Sequence, residues 1–316
     1  MASSSDAAAA APAPTAAPAP ALTAARSYAG FTGTDVMLLT MAAIWGVNFS
    51  VMKYGLGVFS PFAFNALRVT LATVALAAVA FAPGSRLPSA SDARRLMVLG
   101  LLGHAAYQLL FIEGLARSRA GTVALVIGGT PALIAVLGRL FGYERITRSG
   151  ALGIGTSILG VVFVVIGATS AATHDDSLVG IALILISSTC WAFYTMGLRT
   201  LTHRVDGVQI AAWTLFGGAV PLVLAGVPAL LHTDFSIVPV AAWGAIAYSG
   251  LMAFVLAYVF WYRGVQALGA TRTSMYANLQ PIMALGAAWV TLHEIPTAWQ
   301  FTGAVCVISG LYLSRR

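Results

Sequence analysis

Long stretches of this chain carry no charged side chain, and their lengths match the thickness of a bilayer. Between Arg148 and His174 lie 25 residues without a charge or a histidine, and Ser177–Leu198 adds 22 more. Val208–Leu231 and Phe235–Tyr262 keep to the same rule. A transmembrane helix needs about 20 apolar residues to cross a hydrocarbon core ~30 Å thick. A water-soluble fold is excluded by the same arithmetic. The 17 basic and 10 acidic residues make up 9% of 316, where a soluble domain carries about 25% charged residues, too few to cover this much apolar surface. Disorder fails for the opposite reason, because disordered chains are poor in apolar residues. The sequence therefore predicts an all-α polytopic membrane protein.

Ten spans are expected, near residues 35–56, 61–82, 93–115, 120–141, 149–169, 178–199, 207–231, 240–264, 270–291 and 297–314. Isolated Gly and Pro do not disqualify such segments, since neighbouring helices re-satisfy the freed backbone groups. Ahead of them, residues 1–33 are Ala/Pro-rich and lack the basic start and Leu/Val/Ile core of a secretory signal, so they read as a disordered cytoplasmic tail. With ten spans both termini share one side. That side collects twelve arginines: Arg26, Arg86, Arg94, Arg95, Arg145, Arg148, Arg199, Arg204, Arg263, Arg272, Arg315 and Arg316. The other side has three cations, Lys53, Arg117 and Arg119, beside Asp175 and Asp176. The positive-inside rule then makes both termini cytoplasmic and, for a bacterium, sets the chain in the inner membrane. Basic residues scattered between apolar runs are not a nucleic-acid footprint, so no nucleic-acid partner is expected. Cys190 and Cys306 sit in apolar runs and read as small buried hydrophobes.

The chain also repeats itself. A shift of 150 residues aligns 111–163 with 261–313 without a gap. Gly114 meets Gly264, Ala120 meets Ala270, Pro131 meets Pro281, and Glu144 meets Glu294. Thr147, Gly153 and Gly160 meet Thr297, Gly303 and Gly310. A shift of 146 pairs Trp45 with Trp191. These matches divide the chain into five-helix repeats over 34–170 and 177–316. Five is odd, so the second half enters the membrane from the opposite side. Inverted repeats of this kind are the signature of secondary transporters, whose solute site lies near the midplane between the halves.

The pattern Pro131…Gly142-Tyr143-Glu144-Arg145-Ile146-Thr147…Gly153…Gly160 recurs as Pro281…Leu292-His293-Glu294-Ile295-Pro296-Thr297…Gly303…Gly310, and the first span carries Trp45-Gly46-Val47-Asn48-Phe49. With these residues the chain resembles EamA-type transporters of the drug/metabolite transporter superfamily, over all ten spans. The resemblance implies carriage of amino acids, other metabolites or drugs without a hydrolysed nucleotide, and export more often than import. It implies no cofactor. Small multidrug-resistance pumps, distant relatives in that superfamily, use a glutamate in their first span, where this chain has only Asp35 at the helix start. Proton-driven antiport of that type is disfavoured.

Polar and aromatic residues at membrane depth supply the candidate site. Met41, Trp45, Asn48, Phe49 and Met52 share one face of the first span, and His104, Gln108 and Phe111 one face of the third, with Tyr107 beside them. The sixth offers Ser187, Trp191, Tyr194 and Thr195, the eighth Tyr258, and the ninth Tyr276, Asn278 and Gln280. Asn48, Gln108, Asn278 and Gln280 serve equally as interhelical glue or solute contacts. Trp261 and Tyr262, near a helix end, read as interfacial belt residues. Pro131 and Pro281 either kink their helices or free carbonyls toward a cavity. Arg68, with Asn65, is positioned to meet a solute carboxylate, to snorkel, or to pair with Glu113. Glu113 itself is placed to pair with Arg117. His104 is the one mid-span group that titrates near neutral pH, and is a proton carrier, a solute contact or a structural hydrogen bonder. Glu144 and Glu294 read as structural caps of the repeat. No metal cluster and no nucleophile–base pair is visible, so an intramembrane enzyme is disfavoured. The expected partners are a small-molecule solute and the lipid bilayer.

Overall fold

The computed structural model describes residues 32–142, 147–170, 176–268, 273 and 276–313. The Ala/Pro-rich segment, Glu144, Asp175, Arg26, Arg145, Arg272, Arg315 and Arg316 lie outside them. The described chain is helical and contains no strand. Eight helices are long and apolar enough to cross a membrane. These are α1 (Gly33–Leu56), α2 (Pro61–Ala80), α3 (Ala90–Ala116), α4 (Ala120–Leu140), α5 (Arg148–Ser170), α6 (Leu178–Leu198), α7 (Gly207–Leu231) and α8 (Val240–Leu268). Two shorter apolar helices come next, α9 (Gln280–Leu292) and α10 (Ala298–Leu313).

Local chemistry sets where these helices begin and break. Ser60 precedes Pro61 at the start of α2, and its hydroxyl accepts from the backbone N–H of Ala63 at 3.4 Å. Ser89 and Asp206 cap α3 and α7 in the same way. Each such cap satisfies a first-turn donor that has no intrahelical partner. Thr147 accepts from the N–H of Gly150 ahead of α5, and Thr297 accepts from that of Gln300 ahead of α10. Two helices carry wide π-helical segments, Leu101–Ala106 in α3 and Tyr248–Leu256 in α8. The helical run of α4 is interrupted at Gly129, and Pro131 opens its second half.

The helices pack as close pairs: α1 on α9, α2 on α7, α3 on α6 and α7, and α5 on α10. Glycine makes the last of these possible. A Cβ at Gly160 would fall 2.7 Å from the carbonyl oxygen of Gly303, and one at Gly310 would fall 2.5 Å from that of Gly153. Between them, Ser157 donates to the Val307 carbonyl at 3.4 Å. Small residues let helix backbones approach where no solvent drives them together. On α2 and α7, Gln209 donates its amide to the carbonyl of Ala80 at 2.8 Å, while Gly226 packs on Phe62 and Ala66.

Candidate functional site

The helices enclose one large cavity of about 1150 Å³. Its mouth lies among exposed His203, Arg204 and Asp206, in the turn between α6 and α7. At its far end the wall is buried: Phe49 and Met52 from α1, Arg68 from α2, and Gln108 and Phe111 from α3. The cavity is therefore open to one face of the molecule and closed toward the other.

Aromatic rings form most of its waist. Trp45 meets Tyr258 edge-on, with centroids 5.5 Å apart, and Trp261 at 6.0 Å. Trp191 lies 5.2 Å from Tyr107, 5.1 Å from Tyr194 and 6.2 Å from Tyr258. Tyr107 stacks on Phe111, which meets Phe49 edge-on. The Trp45 indole N–H donates to the Ala253 carbonyl at 3.0 Å. Ala253 sits in the π-helical segment of α8, where the widened turn leaves carbonyls available to other helices.

At the closed end lies Arg68, 2% exposed. Its Nε donates to Asn65 Oδ1 at 2.9 Å and its Nη2 to Gln108 Oε1 at 2.7 Å. Nη1 reaches Met52 Sδ at 2.9 Å and Ser249 Oγ at 3.4 Å, and Ser249 in turn donates to Asn48 Oδ1 at 2.7 Å. The guanidinium carbon sits 5.0 Å from the Phe254 ring centroid and 5.7 Å from that of Phe64. Arg68 neither snorkels nor pairs with Glu113, which is bonded to Arg117 one helical turn away. Among the described residues every hydrogen-bond partner of Arg68 is neutral.

Most of the sequence candidates line the cavity: Trp45, Asn48, Phe49, Arg68, Tyr107, Gln108, Trp191, Tyr194, Tyr258, Asn278 and Gln280, with Pro131 and Pro281. Both prolines stand in the first turn of a helical segment, and a Cβ on Gly128 would touch Pro281 at 2.9 Å, so the break in α4 adjoins the start of α9. Two candidates stand apart from the lining. His104 packs against Tyr194, Phe254 and Tyr258, and its Nε2 lies 3.2 Å from Thr214 Oγ1. The Thr214 hydroxyl proton already points to the Ile210 carbonyl at 2.7 Å, so Nε2 is the donor, and Nδ1 is buried without a hydrogen-bond partner. Tyr276 donates its hydroxyl to the Asp35 carboxylate at the start of α1. Conversely, Trp261 and Tyr262 line the cavity instead of sitting at the lipid interface. α8 continues to Leu268, past the predicted end at 264, which places both rings more than a turn inside the helix. Met52 and Thr130 also line it.

The closed side is held by charge and backbone. Lys53 Nζ donates to three carbonyls at the end of α3, those of Leu115, Ala116 and Ser118, at 3.1, 3.2 and 2.7 Å. Glu294 receives the N–H groups of Ala120 and Gly121, each at 3.1 Å, at the start of α4. Asp176 accepts from the Arg119 N–H and the Thr122 hydroxyl, both at 2.8 Å, and Gln300 donates to that same hydroxyl at 2.8 Å. Burial pushes the Asp176 carboxyl above the usual carboxylate range, against the pull of these two bonds and of Arg119 and Lys53. Among the described residues no group of three or more His, Cys, Asp or Glu side chains could hold a metal. Cys190 and Cys306 are unpaired thiols, half-buried in their helices.

A multi-pass helical bundle around one deep, one-sided, aromatic cavity defines a membrane transporter of small solutes. The chain belongs to the EamA-like transporter family, whose model matches residues 32–166 and 178–316. It is 30% identical over 279 residues to the uncharacterized transporter YyaM of Bacillus subtilis, covering 87% of this chain and 91% of that one. A probable terminal-alkyne amino-acid exporter of Streptantibioticus cattleyicolor is 29% identical, covering 88% and 92%. A probable amino-acid metabolite efflux pump of Escherichia coli is 25% identical, covering 88% and 93%. A solved crystal structure covers 90% of this chain and 99% of its own at a TM-score of 0.64 and 17% identity, a likeness of fold.

Proposed function

We propose that this chain exports a small amphipathic metabolite, an amino acid in the first instance and an aromatic one by preference, by alternating access across a bacterial inner membrane. The observation that carries the reading is the cavity, deep and aromatic, open at one face and sealed at the other. In this reading α1–α5 and α6–α10 are ten spans in two inverted halves, 34–170 and 177–316, with both termini cytoplasmic. The cavity mouth then lies on the cytoplasmic side, beside Arg199 and Arg204, and the structure is the inward-open state. The cluster of Lys53, Glu294 and Asp176 forms the closed external side.

Four features support the inverted halves. Gly153 and Gly160 touch Gly310 and Gly303, which are their own counterparts in crossed order, with Ser157 bonded to its counterpart Val307 between them. A self-complementary contact of this kind is what a two-fold axis generates. On α2 and α7, Ala80 receives Gln209, while Gly226, the counterpart of Ala80 at the shift of 146, meets residues flanking the counterpart of Gln209. The π-helical segments of α3 and α8, and the threonine caps of α5 and α10, also fall at matching positions.

The relative of Streptantibioticus cattleyicolor carries a name that refers to amino-acid export and that of Escherichia coli one that refers to amino-acid metabolite efflux, which favours an amino acid over a drug. Counterflow in proteoliposomes with a panel of labelled amino acids tests the reading. Exchange of at least one, competed by its unlabelled form, is expected. If nothing on a panel that also includes common metabolites and cationic drugs exchanges, the transport proposal fails.

A further inference from the structure

We infer that Arg68 reads a solute carboxylate, so that the cavity selects amphipathic monocarboxylates over their amides and over simple amines. The inference rests on the proposed transport function and names its solute class. A guanidinium is costly to bury unless paired. Yet among the described residues no carboxylate lies within ion-pair distance of this one, and its four partners are three neutral oxygens and a thioether. Donors also exceed acceptors around it. Asn65 gives its oxygen to Arg68, and its own buried Nδ2 has no hydrogen-bond partner. A thioether is a weak acceptor, so the Nη1 proton on Met52 is the one most readily exchanged for an anionic oxygen. The local chemistry is that of a site one negative charge short.

Position agrees with composition. Arg68 forms part of the closed end of the cavity, and the other charged lining residues, Arg199, Arg204 and Asp206, stand at the mouth. Among the described residues Arg68 is the only deep counter-charge a carboxylate travelling down the cavity meets, while the solute body rests between Trp45, Trp191 and Tyr258. No described carboxylate at that depth asks for an ammonium. An α-amine is accommodated on the ring faces, but recognition does not require it.

The test is quenching of intrinsic tryptophan fluorescence in the purified full-length protein, with counterflow in proteoliposomes alongside. The probes are phenylalanine, 3-phenylpropionate, phenylalaninamide and phenethylamine. Both acids are expected to bind, and the amide and amine to bind roughly 10- to 100-fold more weakly, as fits loss of charge-assisted hydrogen bonds. R68Q is expected to abolish that preference, bringing acid and amide within about threefold of each other. R68K, which keeps the charge but not the fork, is expected to retain part of it, and it answers the question if R68Q does not fold. If acids and amides bind wild-type protein equally, or if none of the four probes binds, the inference is overturned. A preference for acids that survives in R68Q or in a folded R68K at full size overturns it too. These failures are distinct from failure of the transport reading, in which no solute exchanges at all.

Discussion

Removing the Glu294 carboxylate is expected to loosen the closed side of the molecule by a definable amount. Its two oxygens receive the first two N–H groups of α4, which have no partner within their own helix. Arg119 Nε stands 4.0 Å away, and the Glu294 side chain is only 13% exposed. Hydrogen bonds to a charged group contribute about 1.5–3 kcal/mol each, and a charge at a helix N-terminus about 0.3–1 kcal/mol. The two bonds share one carboxylate and do not add in full, so E294A is expected to lose about 2–3 kcal/mol. If these bonds exist only while this side is shut, the same energy shifts the closed-to-open ratio roughly 30- to 140-fold. The assay places a cysteine at Phe49, in the buried end of the cavity, in a chain with Cys190 and Cys306 replaced by serine. On the proposed topology, labelling by a membrane-impermeant maleimide from the external side should accelerate strongly when E294A is added. E294Q should act almost as strongly, since its amide turns an N–H toward a donor. Equal labelling rates with and without E294A, in protein shown to be folded, would refute the idea that this cap holds the closed side.

Three further outcomes are expected from the geometry. Asp176 has a raised pKa, so its contribution to stability is fully present below the ordinary carboxylate value and is lost as pH rises through the raised one; the melting temperature of wild type relative to D176N should therefore increase as pH falls from 7 toward 4, and a flat difference would count against the buried setting of this group. Gly303 and Gly160 face each other's backbone, and a Cβ would come within 2.7 Å of the opposing carbonyl in each case; G303L and G160L should each destabilise by about 1–3 kcal/mol, by similar amounts, in thermal unfolding of detergent-solubilised protein. His293 ends α9 with a φ of 56°, a left-handed conformation that costs a residue with a Cβ about 1–2 kcal/mol; H293G should raise the melting temperature, and a fall would show that the side chain has a role outweighing backbone strain.

The positions of the first eight spans were readable in the sequence because they depend on one local property, the length of a run without charge; the ninth, expected over 270–291, has its helix α9 starting only at Gln280. α1 to α8 begin and end within a few residues of where the runs do, α8 excepted at its C-terminal end. The site was readable in part. Trp45, Asn48 and Phe49 reach the cavity because they share one helical face and that face turns inward. Arg68 was ambiguous from sequence, since its setting depends on Met52, Gln108 and Ser249, contributed by three other helices. Trp261 and Tyr262 were misplaced because an aromatic pair near a helix end has the composition of a lipid belt, and only the extension of α8 to Leu268 separates the two cases. His104 shows the limit from the other direction. Its spacing with Gln108 puts both on one face, but the π-helical turn at Leu101–Ala106 rotates the rest of α3, and the imidazole faces Thr214 while Gln108 faces the cavity.

Lys53 is the only lysine in the chain, and its ammonium is gripped by three carbonyls where α1 meets the end of α3. An ammonium so held is a poor nucleophile, because it has no lone pair until it loses a proton and its protons are held by the carbonyls. On the proposed topology, acylating reagents applied from the external side have Lys53 as their one lysine target, and its ammonium is released to them when α1 and α3 part. The molecule carries its own chemical clock: the rate at which Lys53 is modified reads out how often that side opens, with no engineered label.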